Sequence, residues 1–156
     1  MDFERRGAGK EIEPKTTGEL IGNETILLII YRFMMSMNEV IINKFYTAFQ
    51  KLDYRTMLDC YSADPVFNDP VFGILEGEEV GAMWEMLCKN AKDFSLTFTN
   101  IKLLDEEYAT CQWKATYRFS KTGRRVVNSI KAHMRIQNGG ITEHTDQFDI
   151  WKWSRQ

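Results

Sequence analysis

From residue 38 onward the hydrophobic positions fall into readable periods. Ile41, Ile42, Phe45, Phe49 and Leu52 recur three and four residues apart, with Tyr46 at the edge of the stripe. That spacing predicts an amphipathic helix. Asp53 is placed to cap a second, short helix over residues 54–61, with Met57, Leu58 and Tyr61 inward. The Ser-Ala-Asp-Pro run at 62–65 stops it, because a residue before proline avoids the helical region. Residues 66–69 read as a short strand and 70–77 as a loop. A third helix is predicted over 78–91, with Val80, Met83, Trp84 and Leu87 inward and two acids in its first turn, where they suit the helix dipole.

The period then changes to two. Phe94, Leu96 and Phe98 alternate with polar residues, and so do Ala109, Cys111, Trp113, Ala115, Tyr117 and Phe119. The Ser-Lys-Thr-Gly-Arg-Arg run at 120–125 is a hairpin turn in which Gly123 supplies the positive φ. A strand over 126–136 puts Val126, Ile130, Ala132, Met134 and Ile136 on one face. Gln-Asn-Gly-Gly at 137–140 makes another turn, and a last strand is predicted over 141–153. Three helices followed by a long meander predict an α+β fold: a cone-shaped, curved antiparallel sheet packed against three N-terminal helices and enclosing a pocket. There is no internal repeat.

Residues 1–37 fall outside this pattern and read as a poorly defined N-terminal arm before a domain at 38–156. Residues 26–37 form an apolar run interrupted by Arg32, shorter than the roughly 20 residues of a membrane span. It also makes a poor secretory signal, since acids precede it and no small-residue cleavage site follows. Met34, Met35 and Met37 sit just before the first patterned helix. Either the natural start lies among them, or the arm packs on the domain or on a second subunit.

Strand alternation also sorts the polar residues by face. Asn128 shares the apolar face of its strand. His144 and Asp146, with Phe148, point towards the helices, and such a pair must be hydrogen-bonded or lie in a wet cavity. An acid beside an imidazole sets its tautomer and tunes it for proton transfer. Trp84, Trp113, Tyr117 and Phe148 are candidates for the pocket wall. His133 falls on the outer face with Lys131 and Arg135. Asp69, between apolar residues and directly before a proline, is either a turn residue or an acid held in an apolar pocket.

A net charge of −2 in 156 residues, with basic residues dispersed, gives no case for nucleic acid. The size fits one domain with a real core. Cys60, Cys88 and Cys111 lie far apart, which points to free thiols in a reducing, cytoplasmic compartment. No metal-ligand spacing, phosphate loop or nucleophile elbow occurs, so neither metal nor cofactor is expected. No membrane partner is expected either.

Two stretches carry a family resemblance. FYTAFQKLDYRTMLDCYSADPVFNDPVFGILEGEEV resembles the opening of the nuclear transport factor 2-like superfamily, which holds ketosteroid isomerases, SnoaL-like polyketide cyclases and limonene epoxide hydrolases. GGITEHTDQFDIWKW resembles the closing strand of SnoaL-like members. The resemblance covers residues 38–153 and implies the fold more than the function. By it, Asp69 matches the isomerases' general base and Tyr46 their oxyanion-holding tyrosine. Their second donor falls near Ala132, which cannot donate. His144 and Asp146 match the cyclases' histidine and acid. The hydrolases' Asp-Arg-Asp set lacks its arginine, since Arg118, Arg124 and Arg135 do not alternate onto the inner face.

Three functions fit this reading. One is a cofactor-independent isomerase, cyclase or hydratase acting on a small apolar molecule, with Asp69, Tyr46, His144 and Asp146 as the chemical groups. The second is a ligand-binding protein without turnover. The third is an interaction module that uses the outer sheet face; a homodimer through that face, with Trp151 and Trp153 of the tail at the interface, is expected and is compatible with all three.

Overall fold

A computed structural model describes residues 17–118 and 123–155. The readings made for residues 1–16, for Phe119 and for residues 120–122 of the first hairpin turn lie outside these residues. The elements run α1 (Thr17–Gln50), α2 (Tyr54–Leu58), β1 (Tyr61–Asp69), β2 (Gly73–Glu76), α3 (Glu78–Asn90), β3 (Lys92–Leu103), β4 (Tyr108–Arg118), β5 (Arg125–Gln137), β6 (Gly140–Gln147) and α4 (Ile150–Ser154).

The helix predicted to begin near residue 38 is the second half of one continuous helix. Between residues 23 and 50 no glycine or proline interrupts α1, and its Leu, Met and Glu residues favour helix. Its two halves meet different surroundings. Ile42, Phe45, Tyr46 and Phe49 enter the core, whereas Leu27 and Phe33 are 65% and 66% exposed. The apolar run at 26–37 alone is short, but the helical stretch Asn23–Gln50 is long and apolar enough to cross a membrane by length and composition. Asp53 caps α2 as predicted, its Oδ1 accepting from the Thr56 N–H at 3.1 Å.

Six strands form one sheet in the order β2-β1-β6-β5-β4-β3. It is mixed rather than wholly antiparallel, because β1 lies parallel to β6 with Phe67 beside His144. The other neighbours are antiparallel. Three local readings change. Tyr61 opens β1 instead of ending α2, since it pairs with Ile141 of β6. Residues 62–65, read as a helix stop, continue that strand. Residues 73–76, read as loop, form β2 because Asp69 pairs with Gly73 across a tight hairpin.

The last strand ends at Gln147, not near 153. Asp149 stops it by capping α4, accepting the Lys152 N–H at 3.0 Å. The tail's tryptophans therefore lie on a short helix and not on the outer sheet face. Trp151 is 72% exposed, and Trp153 turns back to donate its Nε1–H to the Tyr117 hydroxyl at 2.8 Å. The aromatic case for a dimer through the outer face loses these residues. His133 does lie on that face, half-buried.

The core fills the space between the helices and the inner sheet face. Phe45 is its centre: its ring meets Tyr46, Tyr61, Trp84 and His144 edge-on at 5.1–5.6 Å. Such edge-to-face pairs add to the area they bury.

Candidate functional site

Strands β1 and β6 bring the site together. Their parallel register puts His144 next to Phe67, and Asp146 lies opposite Ala132 of β5. Alanine at that position leaves room for the carboxylate. His144 and Asp146 are only 1% and 4% exposed, so their polar atoms need partners.

A chain of hydrogen bonds supplies them. Trp84 Nε1–H donates to the Tyr61 hydroxyl at 3.1 Å. The Tyr61 oxygen lies 2.6 Å from His144 Nδ1, and His144 Nε2 lies 3.1 Å from Asp146 Oδ1. Trp113 Nε1–H donates to the same Oδ1 at 3.2 Å. One proton assignment satisfies every member. Indole can only donate, so the Tyr61 proton must go to Nδ1, which leaves Nε2–H to donate to Asp146. This is neutral imidazole between a phenol and an acceptor carboxylate. Burial pushes the Tyr61 hydroxyl well above the usual phenol range, against a smaller opposing effect of the Trp84 N–H.

Asp69 is held differently. It ends β1, and its Oδ1 accepts the N–H groups of Val71 at 2.8 Å and Phe72 at 2.6 Å, which folds the hairpin into β2. Burial raises its carboxyl above the ordinary range, the two backbone bonds oppose this, and the Asp146 charge adds to the rise. Each acid therefore commits Oδ1 to two donors, while no described residue donates to either Oδ2.

Both acids line one cavity of about 330 Å³. Its walls come from Phe49 of α1, Met83, Trp84 and Leu87 of α3, and Trp113, Asn128 and Ile130 of the sheet. Phe72, Tyr117, Phe148 and Trp153 lie around its more exposed side. The sequence candidates Asp69, Asp146, Trp84, Trp113, Tyr117, Asn128 and Phe148 thus share one space. His144 stands behind Asp146 and is not part of the wall.

Tyr46 is brought elsewhere. Its ring stacks on Phe98 at 5.3 Å and tilts on Trp113 at 6.2 Å, and it is fully buried away from the lining. Its hydroxyl has no hydrogen-bond partner among the described residues. The helical stripe that carries Tyr46 points into the core, so it does not stand where an oxyanion donor would face a ligand in this cavity. Sequence reasoning missed Tyr61, whose role depends on a parallel pairing with a strand far along the chain. It also missed Arg118, which reaches the rim although its strand position alternates outward. Arg118 is held there by Asp93 at 2.8 Å and by the Gly123 carbonyl at 3.2 Å, away from both acids' hydrogen bonds. Among the described residues no group of three or more His, Cys, Asp or Glu could hold a metal ion.

The SnoaL-like domain family matches residues 42–144. The chain belongs to this family. The match begins inside α1 and ends at His144, so it contains Asp69 and stops just before Asp146. No curated protein matches the sequence. Among solved structures, an NTF2-like protein of unknown function from Burkholderia pseudomallei is 19% identical, with a TM-score of 0.68 over 76% of this chain and 95% of that one. A limonene-epoxide-hydrolase-like epoxide hydrolase of M. tuberculosis is 16% identical, with a TM-score of 0.65 over 77% and 88%. A candidate polyketide cyclase of Pseudomonas putida is 19% identical, with a TM-score of 0.61 over 74% and 94%. At these identities the likeness is one of fold.

Proposed function

We propose that this SnoaL-like protein binds a small, largely apolar molecule in the cavity of its sheet and moves a proton on it without a cofactor. The observation that carries this reading is the pair of carboxylates, Asp69 and Asp146, on one mostly apolar cavity, each with one oxygen to which no described residue donates. An acid raised by burial is a better base at the working pH than an ordinary carboxylate. Asp69 is raised in this way and is the proton-moving group. Asp146, held by the Trp113 and His144 N–H groups, accepts a hydrogen bond from the ligand and orients it. The chemistry is of the isomerisation, cyclisation or hydration type. Two structural relatives are named for related reactions, an epoxide hydrolase and a candidate polyketide cyclase.

A thermal-shift screen with steroid-like, terpenoid, epoxide and polyketide-like compounds identifies the ligand, and turnover is then measured. Asp69→Asn is expected to abolish turnover with the melting temperature nearly unchanged. Unchanged turnover would remove Asp69 from the mechanism. One observation favours a second reading, ligand binding without catalysis: Asp69 Oδ1 is already fixed by the turn it caps. Tight binding with no turnover of any bound compound would establish that reading.

A further inference from the structure

The chemistry of the cavity wall narrows the class of ligand. Asp69 and Asp146 each present one oxygen to which no described residue donates, and Asp146 is almost wholly buried. Two acceptor-only groups on one mostly apolar cavity favour a donor that carries positive charge. Among the described residues, the lining holds no basic residue paired with either acid. Arg118 is the basic residue among the lining, and it sits on the exposed rim in an ion pair with Asp93. His144 is neutral in the proton assignment that satisfies its neighbours, so it does not neutralise Asp146 either. The rest of the wall is rich in aromatic rings, among them Phe67, Trp84, Trp113 and Phe148. Aromatic faces attract cations and also bury hydrocarbon. An anionic ligand would meet two like charges here. A neutral one would leave both free oxygens without a strong donor.

We propose that the cavity selects a hydrophobic organic cation, an apolar body bearing one protonated amine, with the ammonium held between Asp69 and Asp146 and the body against the aromatic wall. This rests on the reading that the cavity is the ligand site, and it adds the charge of the ligand.

The test uses the full-length chain in calorimetric titrations with three probes of one shape: phenethylammonium, 2-phenylethanol and 3-phenylpropionate. The amine is expected to bind about tenfold or more tighter than the alcohol, with no measurable binding of the carboxylate. Asp146→Asn keeps the acceptor oxygen for Trp113 and His144 and removes the charge. It is expected to shrink the gap between amine and alcohol to about threefold or less. If that variant fails to fold, Asp69→Asn gives the same readout. An alcohol that binds as tightly as the amine would overturn the charge selection and leave the cavity as the ligand site. A carboxylate that binds tightest would do the same. If none of the three binds, the inference falls, and the screen of larger ligands decides the cavity separately. An undiminished gap in both variants would place the amine elsewhere and overturn the proposal.

Discussion

At the buried end of the cavity, Tyr61, His144 and Asp146 are fixed by side-chain hydrogen bonds among enclosed aromatics. At the exposed end, Asp69 is fixed by backbone N–H groups of a turn, and Arg118 by a solvent-facing ion pair. The two ends use the same residue type, aspartate, under opposite constraints. The buried end cannot lose a partner without leaving a polar group unpaired in the core. The exposed end can exchange partners with water. Stability and function should therefore separate along the cavity. Substitutions that leave a buried donor or acceptor unpaired should destabilise the protein, and those that keep these hydrogen bonds should alter what it binds.

The largest effect is expected from Phe45→Ala, which empties the centre of the aromatic core. It should cost about 3–5 kcal/mol in urea unfolding. A cost below about 1 kcal/mol would mean that the buried end is not the stabilising one. Tyr61→Phe comes next. It leaves the Trp84 N–H and His144 Nδ1 without their shared partner, and should cost about 2–4 kcal/mol.

Asp69→Asn is the sharpest test of the comparison. Asparagine still accepts the Val71 and Phe72 N–H groups, so stability should change by less than about 1 kcal/mol while turnover is lost. Its pH dependence has a defined sign. Because burial raises the folded carboxyl above its ordinary value, the folded state binds the proton more tightly than the unfolded chain. The contribution of Asp69 to stability is full below the ordinary carboxylate range and falls as pH rises through its raised folded value. As pH rises above the ordinary carboxylate range, urea midpoints of the wild type should show a decline that Asp69→Asn lacks. Turnover that uses ionised Asp69 as a base should rise over the same interval. The smallest effect is expected from Arg118→Ala at the rim, whose exposed pair with Asp93 should contribute about 0.5 kcal/mol or less.

Much of this was legible in the alternation of the strands. Period two placed Trp113, Tyr117, Asn128, His144, Asp146 and Phe148 on the inner face, and that face carries the candidate site. The helical stripe of residues 41–49 was equally plain. What alternation could not supply was pairing between distant strands. Without the β1–β6 contact, Tyr61 looked like the end of a helix and residues 73–76 looked like loop. Tyr46 lies apart from the cavity for a related reason: a stripe identifies the buried face of a helix but not which part of the interior each residue meets. The strand predicted to reach residue 153 ended early because Asp149 caps a helix. A single polar residue in an alternating run carries no warning of that. Residues 26–37 joined α1 because nothing in them breaks a helix, although little of the domain covers them.

The parallel pairing of β1 with β6 has a consequence for assembly. The hairpins of the meander close over short loops, whereas Phe67 and His144 are 77 positions apart (144 − 67). Closing that span costs roughly 2 kcal/mol more in chain entropy than closing a ten-residue loop. Contacts of this kind slow folding. A chain stalled before that step would keep its hairpins and helices yet have no juxtaposed acids, because Asp69 ends one partner strand and Asp146 lies on the other. Ligand binding thus reports the final closure of the fold, and a nascent or truncated chain would be inert towards the ligand until β6 has docked.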